Sequence, residues 1–200
     1  MIPSLILITF AVAPVAGGVV SRYPRAAGVL AAWPALIAAV IAKELQSVSA
    51  GRIVELPWAP TLNLSLSFNL DGWGLLFALL ISAIGALVVL YASAYLHDHH
   101  DAGRFYASLF VFMGAMLGVA LSDNVLALFV FWELTGFASF LLIGFEHDRE
   151  DARAAALQAL LVTGAGGLAL LAAGVLLIDV SGTASLSAMA GRRDAIVAHP

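Results

Sequence analysis

Cysteine is absent from this 200-residue chain, and charge is scarce: Asp, Glu, Lys and Arg together make up 11% of it. Without cysteine there are no disulfides, no thiolate metal ligands and no thiol nucleophile. A soluble domain carries about 25% charged residues, so a chain that is 62% hydrophobic cannot cover itself with a water-facing surface. Its solvent must be largely lipid. No basic run is present and the net charge is only −4, which argues against nucleic acid as a partner. A nucleotide loop is missing too. Gly164-Ala-Gly-Gly167 has neither the P-loop lysine nor a Rossmann context, and no cofactor is expected.

The first apolar stretch, 2–20, lacks a cation ahead of it and an A-x-A site behind it; Arg22 and Arg25 follow it instead. A cleaved signal peptide has the opposite order, so this is read as a retained span. Five more apolar stretches lie near 26–42, 72–96, 104–121, 125–145 and 154–178. Crossing the hydrocarbon core takes about 20 helical residues. The second stretch is therefore marginal, and it holds Pro34, which a membrane helix tolerates when neighbours re-satisfy the freed carbonyl. The expected fold is an all-α polytopic membrane protein of about six transmembrane helices. With the N-terminus outside, Arg22, Arg25, Arg104, Arg149 and Arg153 fall on the cytoplasmic side, while Lys43, Arg52, Arg192 and Arg193 fall outside. The positive-inside rule favours that orientation.

One stretch between the second and third spans alternates apolar with polar. Segments 52–57 and 62–70 (Leu62, Leu64, Leu66, Phe68) flank Pro57-Trp-Ala-Pro60. Period-two alternation around a proline-containing turn predicts a short external β-hairpin over 52–70. Residues 182–189 read as a polar connector.

Glu133 is the polar residue that most needs a reason. It sits near the middle of the fifth span, and at 100° per residue its face carries Phe129, Gly136, Phe137 and Phe140. Three rings and a glycine solvate a carboxylate poorly. Intramembrane acids are expensive to keep, so each is a functional-site hypothesis; the bland alternative is a carboxyl that joins helices through a hydrogen bond. In the sixth span, Gln158 and Thr163 are weaker proton-path candidates. They sit beside the small residues 164–167, where close helix packing is the natural reading. Asp71 and Asp123 head the third and fifth spans, and capping is the first expectation for both. The run His97-Asp-His-His100-Asp101 invites a metal reading, with His97, His99 and His100 as ligands. Its donors are contiguous in one short loop, unlike the spaced ligands of a structural zinc site, so no metal is expected. Segment 146–151 reads as a charged interhelical loop, with Asp151 as a cap for the sixth helix.

These residues carry a resemblance. Asn69-Leu-Asp-Gly-Trp-Gly-Leu-Leu-Phe77, Val89-Leu-Tyr-Ala-Ser-Ala-Tyr95, Phe131-Trp-Glu-Leu-Thr135 and Ser139-Phe-Leu-Leu-Ile-Gly144 resemble the N-terminal part of the large subunit of Mrp-type multisubunit sodium/proton antiporters. The superfamily is shared with the antiporter-like chain 5 of respiratory complex I. The resemblance implies a transporter component of a bacterial plasma membrane, exchanging protons for sodium beside other small membrane subunits. It places Glu133 on the family's membrane glutamate, which works in proton translocation with a lysine of the seventh helix. Gly136 stands where the family often has serine, so no hydroxyl role carries to that position. Lys43, at the end of the second span, is no substitute for the missing lysine. The chain is therefore expected to be the N-terminal part of a longer protein. Three competing readings are a structural membrane scaffold, a histidine-dependent intramembrane metalloenzyme and a proton-pumping chain of complex I.

Overall fold

The computed structural model describes residues 1–47, 51–59 and 64–197. Its elements in chain order are α1 (Ile2–Arg22), a 3₁₀ stretch (Pro24–Ala31), α2 (Ala32–Ser47), β1 (Arg52–Ala59), β2 (Leu64–Leu70), α3 (Gly72–Tyr95), α4 (Ala102–Leu121), α5 (Val125–Ile143), α6 (Glu150–Ser181), α7 (Leu186–Ala190) and α8 (Arg193–Val197). Among the described residues, six helical segments are long and apolar enough to cross a membrane.

The segment expected over 26–42 runs instead over Pro24–Ser47. Its first eight residues are 3₁₀ and the rest α. Pro24 opens the 3₁₀ stretch. The change to α-helix at Ala32 puts Pro34 in the first turn of α2, where a proline is tolerated. At about 2.0 Å and 1.5 Å rise per residue, the composite element is about 40 Å long. The shortness read from the sequence disappears. Thr9 locks this element to α1: its hydroxyl donates to Leu5 O (2.7 Å) and accepts from Trp33 Nε1 (3.1 Å).

α4 is the central helix and packs against α1, α3 and α5. Phe131 of α5 seats on Gly118 of α4, where any side chain would overlap the ring. The same ring lies 6.4 Å from Phe10 and 6.1 Å from Phe68. It thereby joins α1, α5 and the hairpin in one core.

β1 and β2 pair antiparallel, with Arg52 opposite Leu70, Val54 opposite Phe68 and Leu56 opposite Leu66, and the register shifts between Pro57 and Ala59. The expected hairpin is present. Residues 60–63, Pro60 and Leu62 among them, lie outside the described residues. Phe68 and Leu70 are buried as the alternation requires. Ser67 is buried as well, because its carbonyl accepts from Asp123 N (2.8 Å), and Phe68 bridges Ser122. The hairpin thus rests on the link between α4 and α5.

Other bounds also differ from expectation: α1 ends at Arg22 rather than 20, α3 at Tyr95 rather than 96, and α4 begins at Ala102 rather than 104. α5 ends at Ile143 rather than 145, with Gly144 as its cap. α6 occupies Glu150–Ser181 rather than 154–178. Glu150 and Asp151 in the first turn suit the positive end of the helix dipole. The helix stops at Gly182, whose φ of 67° is the left-handed conformation that ends helices and favours glycine. α6 packs on α5, and the rest of its surface is largely exposed.

Candidate functional site

The site is built at the α5–α6 crossing. Asn124 starts α5: its Oδ1 accepts from the backbone N–H of Leu126 (2.9 Å) and Ala127 (3.1 Å). Two adjacent residues could have capped this helix, and Asn124, not the expected Asp123, does so. Asp123 turns the other way. Its Oδ2 accepts from Ser185 Oγ (2.7 Å) and Ser187 Oγ (2.9 Å), and its Oδ1 from Ser187 N (2.9 Å). Main-chain bonds from Leu186 N to Asp123 O (2.7 Å) and from Val125 N to Ala184 O (3.0 Å) complete the clasp. The connector over 182–189 is therefore a docked structure that leads into α7. Asp123 is buried and partnered by these groups, so it does not cap α5. Asp71 caps α3 as expected, accepting from Gly74 N at 2.6 Å. Asp151 is not the cap of α6, since Arg149 holds that position and Asp151 lies within the first turn.

From the cap at Asn124, Glu133 lies nine residues along α5, roughly 13 Å into the span at 1.5 Å per residue. α6 runs antiparallel beside it, so that Gly144 faces Ala156, Gly136 faces Thr163, Glu133 faces Gly167 and Val125 faces Gly174. The carboxyl of Glu133 rests on the backbone of Gly167, where any side chain would collide with Oε1. Oε1 is buried and has no hydrogen-bond partner among the described residues. An ionisable oxygen placed this way is costly unless something answers it.

The expected ring-lined face holds only in part. Phe137 is half exposed and tilts against Phe140 at 6.4 Å; the polar end of Glu133 meets glycine backbone rather than rings. Thr163 stands one helical turn from Gly167 on the same seam. Its hydroxyl donates to Ala159 O (2.8 Å) and approaches Leu160 O (3.3 Å), which leaves its oxygen free to accept. That oxygen lies 3.3 Å from where a Gly136 side chain would begin. A hydroxyl does stand beside Gly136, supplied by the neighbouring helix. Gln158 is exposed and lies about 180° around α6 from Gly167, so it is not brought to Glu133. Of the small residues 164–167, Gly164 and Gly166 face open space and only Gly167 is in tight contact. Sequence reasoning gave all of them one packing role and missed that one glycine seats the carboxylate.

At the opposite end of the seam, the histidine run is tied into neighbours. His97 Nδ1 lies 2.8 Å from Asp98, and the His99 ring packs on Phe145 at 4.7 Å. Asp101 lies 3.3 Å from His100, 3.6 Å from Arg104 and 3.7 Å from His147.

Two sequence families match this chain. One, described as NADH:quinone oxidoreductase/Mrp antiporter, TM, matches residues 122–196, the stretch that contains the Glu133–Gly167 contact. The other, described as NADH-ubiquinone oxidoreductase (complex I), chain 5 N-terminus, matches residues 57–106. The chain belongs to the antiporter-like family of Mrp antiporters and complex I. Within this family, the A1 component of a Na(+)/H(+) antiporter of Staphylococcus aureus (strain bovine RF122 / ET3-1) is 51% identical over 125 residues, 62% of this chain and 16% of that protein. The A/B component of a probable K(+)/H(+) antiporter of Rhizobium meliloti (strain 1021) is 46% identical over 143 residues, 72% of this chain and 14% of that one. Among solved structures, the Mrp complex from Dietzia sp. DQ12-45-1b superposes with a TM-score of 0.83 at 30% identity, covering 94% of this chain and 20% of that one. The chain spans less than a quarter of the length of these relatives. It is a multi-pass membrane protein with the fold of that family.

Proposed function

We propose that this chain is part of the large membrane component of a multisubunit cation/proton antiporter, where it carries a proton path through Glu133. The observation that carries the reading is the placement of Glu133: a carboxyl in mid-span, seated on Gly167, with Oε1 buried and unanswered among the described residues. An acid kept at such a place in the membrane is costly, and proton relays are where membrane proteins retain one, in the company of a cationic partner. The cation belongs to another helix or another chain; the seventh-helix lysine implied by the family resemblance fits the role. Thr163, whose oxygen remains able to accept, stands next along the seam. Gln158, on the far side of α6, is left out of the path.

The remaining assignments follow from this one. The protein sits in a bacterial plasma membrane with the arginine-rich end cytoplasmic and the hairpin end outside, and it assembles with other membrane subunits. Sodium is the cation proposed, from the name of the Staphylococcus relative; the Rhizobium relative is named for potassium. A second reading, a proton-pumping chain of complex I, is favoured by the family matched over 57–106. NADH-driven proton pumping by the assembled complex would select it over antiport.

The test is made in the assembled complex. Glu133→Gln removes the titrating group and keeps the shape; Glu133→Asp keeps the acid and shortens it. In inverted vesicles, sodium addition should dissipate a preformed pH gradient with the native protein, partially with Glu133→Asp and not with Glu133→Gln. Normal assembly of Glu133→Gln with exchange at the native rate would defeat the proposal.

A further inference from the structure

We propose that the cleft between the end of α5 and the start of α6 binds one anionic phospholipid, independently of any role of Glu133. The cleft has a volume of about 400 Å³. Its floor is apolar, made by Phe140, Leu141, Ala156 and Leu157, and its mouth is made by the cations Arg104 and Arg153 with His147 between them. Among the described residues, no acidic side chain lines it. A water chain needs two to four polar partners per molecule, so the floor suits hydrocarbon better than a wet path. An anionic headgroup above a hydrocarbon tail matches both parts.

The basic mouth is held in place. Arg104 Nη2 donates to Phe145 O and to His147 Nδ1 (2.9 Å), with the guanidinium 5.7 Å over the Phe145 ring. Arg153 Nη1 donates to His147 O (2.6 Å) and Asp148 O (3.1 Å). A guanidinium has five N–H donors, and these bonds use one nitrogen of each. The remaining donors can meet a phosphate in the two-pronged geometry that arginine favours. Of the neighbouring acids, Glu146 (3.0 Å) and Asp151 (2.6 Å) are taken by Arg149, whereas Asp101 lies 3.6 Å from Arg104 and 3.7 Å from His147, and Asp148 lies 3.8 Å from His147, none of them lining the cleft.

The tail also has a track. Leu157, Leu161 and Leu168 are exposed along α6, which continues the apolar floor away from the mouth. Five of the nine cations, Arg22, Arg25, Arg104, Arg149 and Arg153, lie at this end of the bundle. Basic pockets between membrane helices at the cytoplasmic side are where anionic headgroups bind.

The full chain, purified in a non-ionic detergent, is mixed with phosphatidylglycerol or phosphatidylcholine of the same acyl chains, and retained lipid is counted by native mass spectrometry. Phosphatidylglycerol should be retained about tenfold better, equivalent to about 1.4 kcal/mol. Arg104→Gln with Arg153→Gln should bring the two lipids level, while Arg192→Gln with Arg193→Gln, at the other end, should change nothing. A phosphatidylglycerol with a diazirine on its acyl chain should label the peptide over 140–161 of the native protein, a readout that needs no variant to fold. Four results would overturn the proposal. They are equal retention of both lipids by the native chain, a preference that survives the glutamine pair, label confined to other helices, and displacement of the labelled lipid by inorganic phosphate alone, which would make this a plain anion site.

Discussion

Gly167→Ala tests the link between geometry and transport most directly. A methyl group at 167 would collide with Glu133 Oε1 and stand 3.0 Å from the carboxyl carbon. Ordinary carbon contacts need about 3.5 Å, so the whole carboxyl must withdraw, by about 1 Å. Stability should change little. Alanine in a helix interior is favoured over glycine by about 1 kcal/mol, and overpacking a tight contact costs about 1–3 kcal/mol. The complex should therefore still assemble. Function should change more, because a misplacement of about 1 Å in a reacting group can lower a rate by about 100-fold. The assay is sodium-dependent dissipation of a pH gradient, with complex assembly checked in the same membranes. Gly164→Ala and Gly166→Ala are the controls: both positions face open space, and both variants should exchange normally and unfold no more easily. In a Glu133→Asp background the shorter side chain retreats from 167, so Gly167→Ala should cost less there, a coupling that a double-mutant cycle measures. Native exchange by assembled Gly167→Ala would refute the reasoning, as would equal damage from all three alanines.

Other expectations are simpler to state. Asn124→Ala removes a helix cap and should lower stability by about 1 kcal/mol, whereas Asp123→Ala strands Ser185 and Ser187 and should cost about 2–3 kcal/mol. Thermal unfolding in detergent ranks the two, and protease cutting within 182–191 should rise only for Asp123→Ala. Because the chain has no cysteine, single introduced cysteines report topology directly. Ser47→Cys should react with an impermeant thiol reagent from outside and His100→Cys should not; the reverse pattern would invert the orientation.

The hairpin and the six helices were legible because their signals are local. Leu66, Phe68 and Leu70 keep the alternation toward the core, and apolar length marks each span. Asp71 as a cap was legible for the same reason. The choice between Asp123 and Asn124 was not. Either side chain can cap a helix, and the decision came from Ser185 and Ser187, more than 60 residues away, which compete for Asp123. The first turn of α6 was missed because three of its residues, Glu150, Asp151 and Arg153, are charged, although acids at a helix start are favourable.

Composition settles the solvent of this chain, its motifs carry the resemblance to the family, and the position of Glu133 within its apolar run gives its depth. Those are properties of residues read in order along one helix. What Glu133 touches is a property of two helices, since their crossing pairs position 133 with position 167. No local pattern distinguishes Gly167 from Gly164 or Gly166; their difference arises only when α6 turns one face toward α5. The same holds for Arg104 and Arg153, which are far apart in the chain and meet over one cleft. Close packing leaves room for one atom at a time, so the partner of a buried carboxylate is chosen by the arrangement of the helices.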